Sequence, residues 1–562
     1  MISRWSNPLI ALAALAALGL LALENAPAAE RWAAAFPVAH GALLALFLAD
    51  VTLRFAAAAD KRRYAAGHWY EALVFLPLVH LLTGVPPAPF AALARLAVAL
   101  MMFVARAGGG GGERAVSAFS RRPAQTLAGG FVLAIFAGAI ALSLPAAAQS
   151  GERTPFLDAL FTATSATCVT GLSVVDLATH FSPFGQIVIL ALIQLGGLGI
   201  MTAAVSLALL LGRGVNVKGQ AALQDALDQE TLSGARRLTF FIVAMTAAFE
   251  VGGAVVLTAA WRSRLGGDWA AAVFHGVFHA VSAFCNAGFS TFSRNLEPFR
   301  DDPLTNVAVM ILIVGGGIGF LAVQDLTMRA RERLARRRPP RLRVQTRVVL
   351  AASAILIAGG ALAFYGLERQ GALAGLPRRV QVWTALFQSV TARTAGFNTC
   401  PMAELAPATL FVLMLLMFIG GSPGSAAGGI KTTTLAVLWA VVLSRLRRRE
   451  QVELCRRTIP TEVALKAATV LCISLAIVLA FTGLLLYTER QPFEEVLFET
   501  VSAFATVGLS TGLTPHLTAP GRALVTLLML IGRLGPLTMA YALAVRTKQP
   551  QYTLAEERVM IG

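Results

Sequence analysis

Four short segments carry the residues whose types and spacing could do chemistry. In chain order they read Ser165-Ala-Thr-Cys168-Val169-Thr170-Gly171-Leu172, Ser282-Ala-Phe-Cys285-Asn286-Ala287-Gly288-Phe289, Thr391-Ala-Arg-Thr394-Ala395-Gly396-Phe397 and Ser502-Ala-Phe-Ala-Thr506-Val507-Gly508-Leu509. No segment pairs a nucleophile with a base, so the chemistry on offer is that of the backbone. Glycine permits the angles that turn successive carbonyls inward and keeps side chains out of a lumen. Carbonyl dipoles gathered around one path replace the hydration shell of a monovalent cation without a fixed charge. The glycines lie 117, 108 and 112 residues apart. A Phe precedes the glycine by ten residues in three segments (Phe161, Phe278, Phe498) and by nine in the other (Phe387). One such segment is an ordinary glycine loop; four at near-constant period point to one pore built four times over.

The elements that must position these segments are short. Semi-apolar stretches near 156–168, 271–285, 380–392 and 494–505 precede them. About a dozen residues cannot cross a bilayer but suffice for a helix that dips halfway in. Non-helical backbone at that depth is tolerated only where it is buried or lines a watery cavity. Apolar spans flank them near 125–146, 183–212, 237–260, 303–324, 346–366, 407–443, 461–486 and 520–545, and four more lie near 8–24, 38–58, 70–84 and 88–107. The expected fold is an all-α polytopic membrane protein. Accessory transmembrane helices occupy 1–110, and helix, half-helix, helix repeats occupy 124–212, 236–328, 346–445 and 461–546, with a tail at 547–562. Asn25-Ala26-Pro27-Ala28 resembles a signal-peptide end, but a retained first helix is preferred.

Composition excludes other classes. Of 562 residues, 56% are hydrophobic and 14% charged, against roughly 25% charged in soluble domains. A soluble enzyme, a disordered scaffold and a DNA-binding domain are ruled out. The net charge of +17 comes from 47 basic and 30 acidic residues, and most of the arginines sit in short loops. Arg329–Arg347 holds nine Arg and Arg445–Arg457 holds six. In a twelve-span topology these loops share one face, which the positive-inside rule makes cytoplasmic, with both termini there. No basic stretch carries interleaved stacking aromatics, so nucleic acid is not the partner. The five Cys form no CxxC pair and the seven His no HExxH, which leaves no zinc site or intramembrane enzyme. His275 and His279 read as polar packing. The first 110 residues show no regular Arg ladder of a voltage sensor.

With Phe161-Thr-Ala-Thr-Ser through Gly171-Leu-Ser-Val-Val-Asp176, and its counterparts ending at Gly288-Phe289, Gly396-Phe-Asn-Thr399 and Gly508-Leu509, the chain resembles the Trk/Ktr/HKT superfamily of potassium transporters over roughly 124–546. The likeness is to the bacterial Trk/Ktr-type membrane subunit. It implies four helix, pore-helix, helix units around one pore with pseudo-four-fold symmetry. Gly171, Gly288, Gly396 and Gly508 are then filter glycines, with Cys168, Val169, Thr170, Cys285, Asn286, Ala287, Thr394, Ala395, Thr506 and Val507 completing the ion-binding filter for K⁺. Plant members that carry Na⁺ tend to have Ser at the first position; four glycines imply K⁺ over Na⁺. The resemblance further implies a homodimer in the bacterial inner membrane and a separate cytoplasmic nucleotide-binding ring subunit. Nucleotide is expected only on that subunit, with no cofactor on this chain. The basic loops are candidate docking surfaces.

The span at 407–443 is interrupted by Gly420-Gly421-Ser422-Pro-Gly424-Ser-Ala-Ala-Gly428-Gly429-Ile-Lys431-Thr-Thr-Thr434. Five Gly and a Pro within ten residues cannot hold a regular helix, and neither apolar half spans alone, so the break lies within the membrane. The resemblance implies an intramembrane gating loop at 420–434, below the third filter. A near match to a phosphate loop fails because Ile430 separates Gly429 from Lys431. Arg533 lies deep in the last span, where an Arg is costly and faces the interior; it reads either as a buried structural pair or as a positive charge limiting cation flux beside the gating loop. Arg393 reads as a brace for filter backbone. Asp158, Glu494, Glu495, Glu499 and Asp176 read as helix caps or as charges concentrating cations at the mouth. The competing class, an alternating-access cation-coupled secondary transporter, would show two inverted halves. Basic loops falling on the same side after each repeat disfavour it. Whether flux is passive or coupled stays open.

Overall fold

A computed structural model describes residues 123–199, 232–449 and 451–535. The expected spans within 1–110 and the tail at 547–562 lie outside the described residues. What is described is predominantly helical and falls into four units of the same plan.

In the first unit α1 (Pro123–Leu142) leads to the short α2 (Phe156–Thr167) and then α3 (Pro183–Leu198). The second comprises α4 (Leu232–Trp261), α5 (Trp269–Phe284), α6 (Pro303–Gly317) and α7 (Phe320–Leu334). The third has α8 (Val344–Glu368), α9 (Arg378–Thr391), α10 (Pro407–Phe418) and α11 (Thr432–Leu446). A two-stranded antiparallel hairpin, β1 (Val452–Leu454) and β2 (Arg457–Ile459), precedes the fourth: α12 (Thr461–Glu489), α13 (Phe493–Ala505) and α14 (Ala519–Leu534).

The helices Phe240–Trp261, Val344–Glu368 and Thr461–Glu489 are long and apolar enough to cross a membrane. Their outer faces carry exposed Val251, Val255, Ile355, Leu362, Leu475 and Leu479. Apolar side chains in that position suit lipid rather than water. The interior is instead crowded with small and polar residues from the short helices. Phe161, Phe278, Phe387 and Phe498, the residues that set the repeat period, are all fully buried.

Helix order explains how four units make one object. Each short helix packs on the first helix of its own unit, in the first, second and fourth units on the third helix as well, and in every unit on the third helix of the preceding unit: α5 on α3, α9 on α6, α13 on α10, and α2 on α14. The last of these closes the circle. The first and fourth units are further tied by an ion pair between Asp158 and Arg522, and the second and third by Asn398, which donates to Glu297 at 2.8 Å.

Two expectations need correcting. The stretch 303–324 is not one span: it bends by 106° between α6 and α7, at Gly319 with φ +89°. The interruption in the third unit ends earlier than 434, because α11 begins at Thr432.

Candidate functional site

The four short helices end where the four segments begin, and the backbone then does the same thing four times. The residue two before each glycine is left-handed: Val169 (φ 56°), Asn286 (59°), Thr394 (72°) and Thr506 (51°). The glycines are left-handed as well: Gly171 (96°), Gly288 (70°), Gly396 (78°) and Gly508 (94°). A left-handed residue with a Cβ costs roughly 1–2 kcal/mol, so four at equivalent positions record a requirement of the path rather than accident. Alternating the sign of φ along a strand swings successive carbonyls toward the same side, as a carbonyl-lined path needs.

The glycines meet. A Cβ on Gly171 would run into the Ala287 carbonyl and Gly288 Cα, and one on Gly288 into the Ala395 carbonyl at 2.8 Å and Gly396 Cα. One on Gly396 would strike the Val507 carbonyl and Gly508 Cα, and one on Gly508 the Thr170 carbonyl and Gly171 Cα. Each glycine thus leaves room for the carbonyl preceding the next unit's glycine, and the sequence 171, 288, 396, 508 closes on itself. The structure brings all four candidate filter segments together in one ring. Cys168 and Cys285 cap α2 and α5 at its base, fully buried.

Beneath the ring lies the interruption of the third unit. Helix α10 ends at Phe418, and Ile419–Lys431 forms a loop pinned by its own backbone. Gly421 N–H donates to Gly428 O, and Ile430 N–H to Phe418 O at 3.2 Å. The loop docks on the end of α6: Ser422 N–H donates to Gly317 O at 3.0 Å, Ala426 N–H to Gly316 O at 3.2 Å, and Phe320 N–H back to Gly424 O at 2.9 Å. Gly428 lies against Ala505 and Thr506 at the base of the fourth segment. Three cations hold loop carbonyls. Lys431 Nζ donates to Ala427 O at 2.7 Å, Arg393 to Gly420 O at 3.4 Å, and Arg533 to Ala426 O. The other guanidinium nitrogen of Arg533 donates to Gly196 O, at the end of α3. Arg533 therefore bridges the first unit and the loop through carbonyls, not a carboxylate. Arg393 differs from expectation: its guanidinium reaches the Gly420 carbonyl of the loop instead of bracing filter backbone.

The acidic residues divide. Asp158 is paired with Arg522. Asp176 caps the turn Leu177–His180 by accepting from Ala178 N–H. Glu494 is exposed at the start of α13, while Glu499 is fully buried behind the fourth segment, accepting from Thr514. His279 is likewise buried, joining His275 O at 2.8 Å and Ser290 Oγ at 2.9 Å.

One four-fold feature escaped the sequence reading. The third helix of the first, second and fourth units ends on G-x-x-G, Gly196–Gly199, Gly316–Gly319 and Gly532–Gly535, and in the third unit the same spacing, Gly421–Gly424, falls in the loop just past α10. The second glycine of each pair is left-handed, at φ 74°, 89°, 69° and 83°. The first sits against a carbonyl in the last turn of the short helix in three units: Thr167, Phe284 and Phe504. The third unit alone departs, its Gly421 lying against Ala427 of the loop. The signal was available in the spacing, since these pairs start 25, 28, 25 and 24 residues after the filter glycines.

Comparison with known proteins accords with this geometry. The profile of the TrkH family, described as cation transport protein, matches residues 119–555. The Ktr system potassium uptake protein B of Bacillus subtilis is 39% identical over 442 residues, covering 78% of this chain and 97% of that protein. The protein of the same name from Vibrio alginolyticus is 38% identical over 437 residues, 77% of this chain and 93% of that one. The potassium/sodium uptake protein NtpJ of Enterococcus hirae is 36% identical over 447 residues, 78% and 97%. The crystal structure of the potassium transporter TrkH from Vibrio parahaemolyticus superposes with a TM-score of 0.61 at 18% identity, covering 85% of this chain and 96% of that chain. The chain is a membrane protein of the TrkH cation transport family, whose members are transporters and not enzymes.

Proposed function

We propose that the protein takes up K⁺ through the ring of four glycine segments, with backbone carbonyls as ligands and the loop Ile419–Lys431 as the gate beneath. The observation that carries this reading is the closed ring, in which every filter glycine makes room for a carbonyl of the next unit. Carbonyls held at close quarters by a rigid scaffold suit an ion that sheds its water cheaply, which favours K⁺ over Na⁺. Relatives named for potassium uptake support the same ion.

Gating rests on position. The loop lies under the ring, and Arg533 holds it to the first unit, so a positive charge and a plug share the ion's route. Displacing the loop requires breaking bonds to Gly316, Gly317 and Arg533. The force for that comes from a separate cytoplasmic ring subunit that binds nucleotide, docked on the basic segments 329–347 and 445–457; this chain itself needs no cofactor. The protein works as a homodimer in the bacterial inner membrane with its termini in the cytoplasm. An alternating-access cycle fits four same-sense units less well than inverted halves.

The test is cation flux into liposomes holding the purified protein, comparing K⁺, Rb⁺ and Na⁺ gradients and repeating the series with Gly171→Ser. K⁺ and Rb⁺ should enter well ahead of Na⁺, with the variant eroding that preference. Na⁺ moving as freely as K⁺ through the unmodified protein would sink the filter reading.

A further inference from the structure

The ring is four-fold in its glycines but not in what holds them. A hydroxyl near the end of each short helix touches the segment behind it, and the four hydroxyls do two different things. In the first and fourth units Ser165 and Ser502 accept from the glycine itself: Gly171 N–H at 3.1 Å and Gly508 N–H at 3.2 Å. In the second and third, Ser282 donates to Phe289 O at 2.8 Å and Thr391 to Phe397 O at 2.6 Å.

Three further observations sort the units the same way. The residue after the glycine is Leu in the first and fourth units, Leu172 and Leu509, and Phe in the second and third, Phe289 and Phe397. Gly171 and Gly508 sit at φ 96° and 94°, whereas Gly288 and Gly396 sit at 70° and 78°. The ties between units join the first to the fourth through Asp158 and Arg522, and the second to the third through Glu297 and Asn398.

The hydroxyls belong to helices that stand outside the ring, so a carbonyl bonded to one is drawn away from the axis. Phe289 O and Phe397 O are drawn away in this manner. Among the described residues, the carbonyls of Leu172 and Leu509 accept no hydrogen bond.

Resting on the filter reading above, we propose that the outermost cation site is one-sided: Leu172 and Leu509 supply its carbonyl ligands, while Phe289 and Phe397 withhold theirs. The first and fourth units are neighbours around the ring, so both ligands lie on the same flank. A monovalent cation arriving there exchanges only the water on that flank and keeps the rest of its shell. Full dehydration, and with it discrimination between K⁺ and Na⁺, waits for the four-fold layer of the glycines below. Ser282 and Thr391 are positioning residues in this scheme, acting through the carbonyls they hold.

Anomalous scattering from Tl⁺ in crystals of the full-length protein tests the placement directly. The outermost peak should lie off the axis, toward Leu172 and Leu509; an on-axis peak equidistant from four carbonyls overturns the proposal. Transport provides the second arm, as external Rb⁺ uptake with K⁺ and Na⁺ as competitors. Releasing both carbonyls with Ser282→Ala and Thr391→Val should lower the KM for external K⁺ by about 3- to 10-fold while leaving the K⁺/Na⁺ ratio in place. Ser165→Ala with Ser502→Ala frees the glycine N–H groups and should erode the ratio. An unchanged KM in the first pair overturns the one-sided site. Gly171→Ser without effect on selectivity would instead remove the filter reading beneath it. If the first pair does not fold, the Tl⁺ position in the unmodified protein decides alone.

Discussion

Replacing Gly508 by Ala isolates what the ring does from what a left-handed glycine does. At φ 94° any residue with a Cβ pays roughly 1–2 kcal/mol. The added methyl would also meet the Thr170 carbonyl, Gly171 Cα at 3.0 Å and Thr170 C at 3.1 Å. All three neighbours are backbone, so none can rotate aside, and the Thr170 carbonyl must leave the place where it would face an ion. Gly512 supplies the control, since it sits at φ 105° with nothing within 4 Å of its missing Cβ. The two variants share a conformational penalty that shifts an equilibrium by about 5- to 30-fold, and only one of them moves a carbonyl of the ring. Rb⁺ uptake into liposomes, with K⁺ and Na⁺ as competitors, reads the difference. Gly512→Ala should keep the K⁺ preference of the parent, while Gly508→Ala should lose at least about tenfold of it, the equivalent of ~1.4 kcal/mol. Equal selectivity in the two variants would refute the argument that the ring's carbonyls do the discriminating.

Arg533→Gln removes a guanidinium that holds both Ala426 O and Gly196 O; losing even one charge-assisted bond of ~1.5 kcal/mol should raise K⁺ flux about tenfold, and unchanged or lower flux in the absence of any partner subunit would count against the latch. Arg522→Ala and Asp158→Ala should each cost about 1–2 kcal/mol of stability in detergent, because the pair is only partly exposed, and a double-mutant cycle should show the two losses to be non-additive. In the turn after α5, burial holds the Glu297 carboxyl above the ordinary carboxylate range, against the opposing pull of Arg294 and the Asn398 bond. A raised acid binds its proton more tightly in the folded protein, so its contribution is present below the ordinary carboxylate pKa and is lost as pH rises through the folded value. Glu297→Gln should keep the Asn398 contact and flatten that part of the thermal-stability profile; a profile unchanged by the substitution would exclude Glu297 as its source.

How much of this was legible in the sequence depends on what kind of interaction made each part. The short helices and the glycine segments were readable because the ring repeats its demand four times, and four copies at 117, 108 and 112 residues outweigh the ambiguity of any one. The break in the third unit was readable because ten apolar residues on either side of a glycine-rich stretch cannot span. The bend at Gly319 was not, since Pro303–Gly317 and Phe320 onward form one continuous apolar run, and only the backbone angle reveals the turn. The fates of the charges were hidden as well. Asp158 finds Arg522 at a separation of 364 residues, and Arg393 finds a loop carbonyl instead of the filter. Such pairings are set by which helices the circle brings side by side, and residue type alone does not specify them.

The departure of the third unit from the other three has a physical consequence for how such a gate can work. In the first, second and fourth units the first glycine of G-x-x-G lodges the third helix directly on the end of its short helix, which fixes it to the ring. In the third unit that lodging is absent, and the loop is held instead by bonds to Gly316, Gly317, Phe320 and Arg533. Each is a backbone or charge-assisted hydrogen bond whose net worth is about 0.5–3 kcal/mol, because water can take its place. A plug fixed by packing would cost the burial of its apolar surface to move. The loop's buried apolar side chains are few and mostly small, Ala426, Ala427 and Ile430, so moving it costs chiefly these hydrogen bonds, within reach of what a docked partner can supply. Gly421 leaves no slack for a side chain, since a Cβ there would strike Ala427 and sit 3.1 Å from Gly317 O; Gly421→Leu should therefore push the loop off its seat on α6 and raise K⁺ flux in the absence of any partner, and a variant that folds yet conducts no more than the parent would count against a loop held in place by these hydrogen bonds.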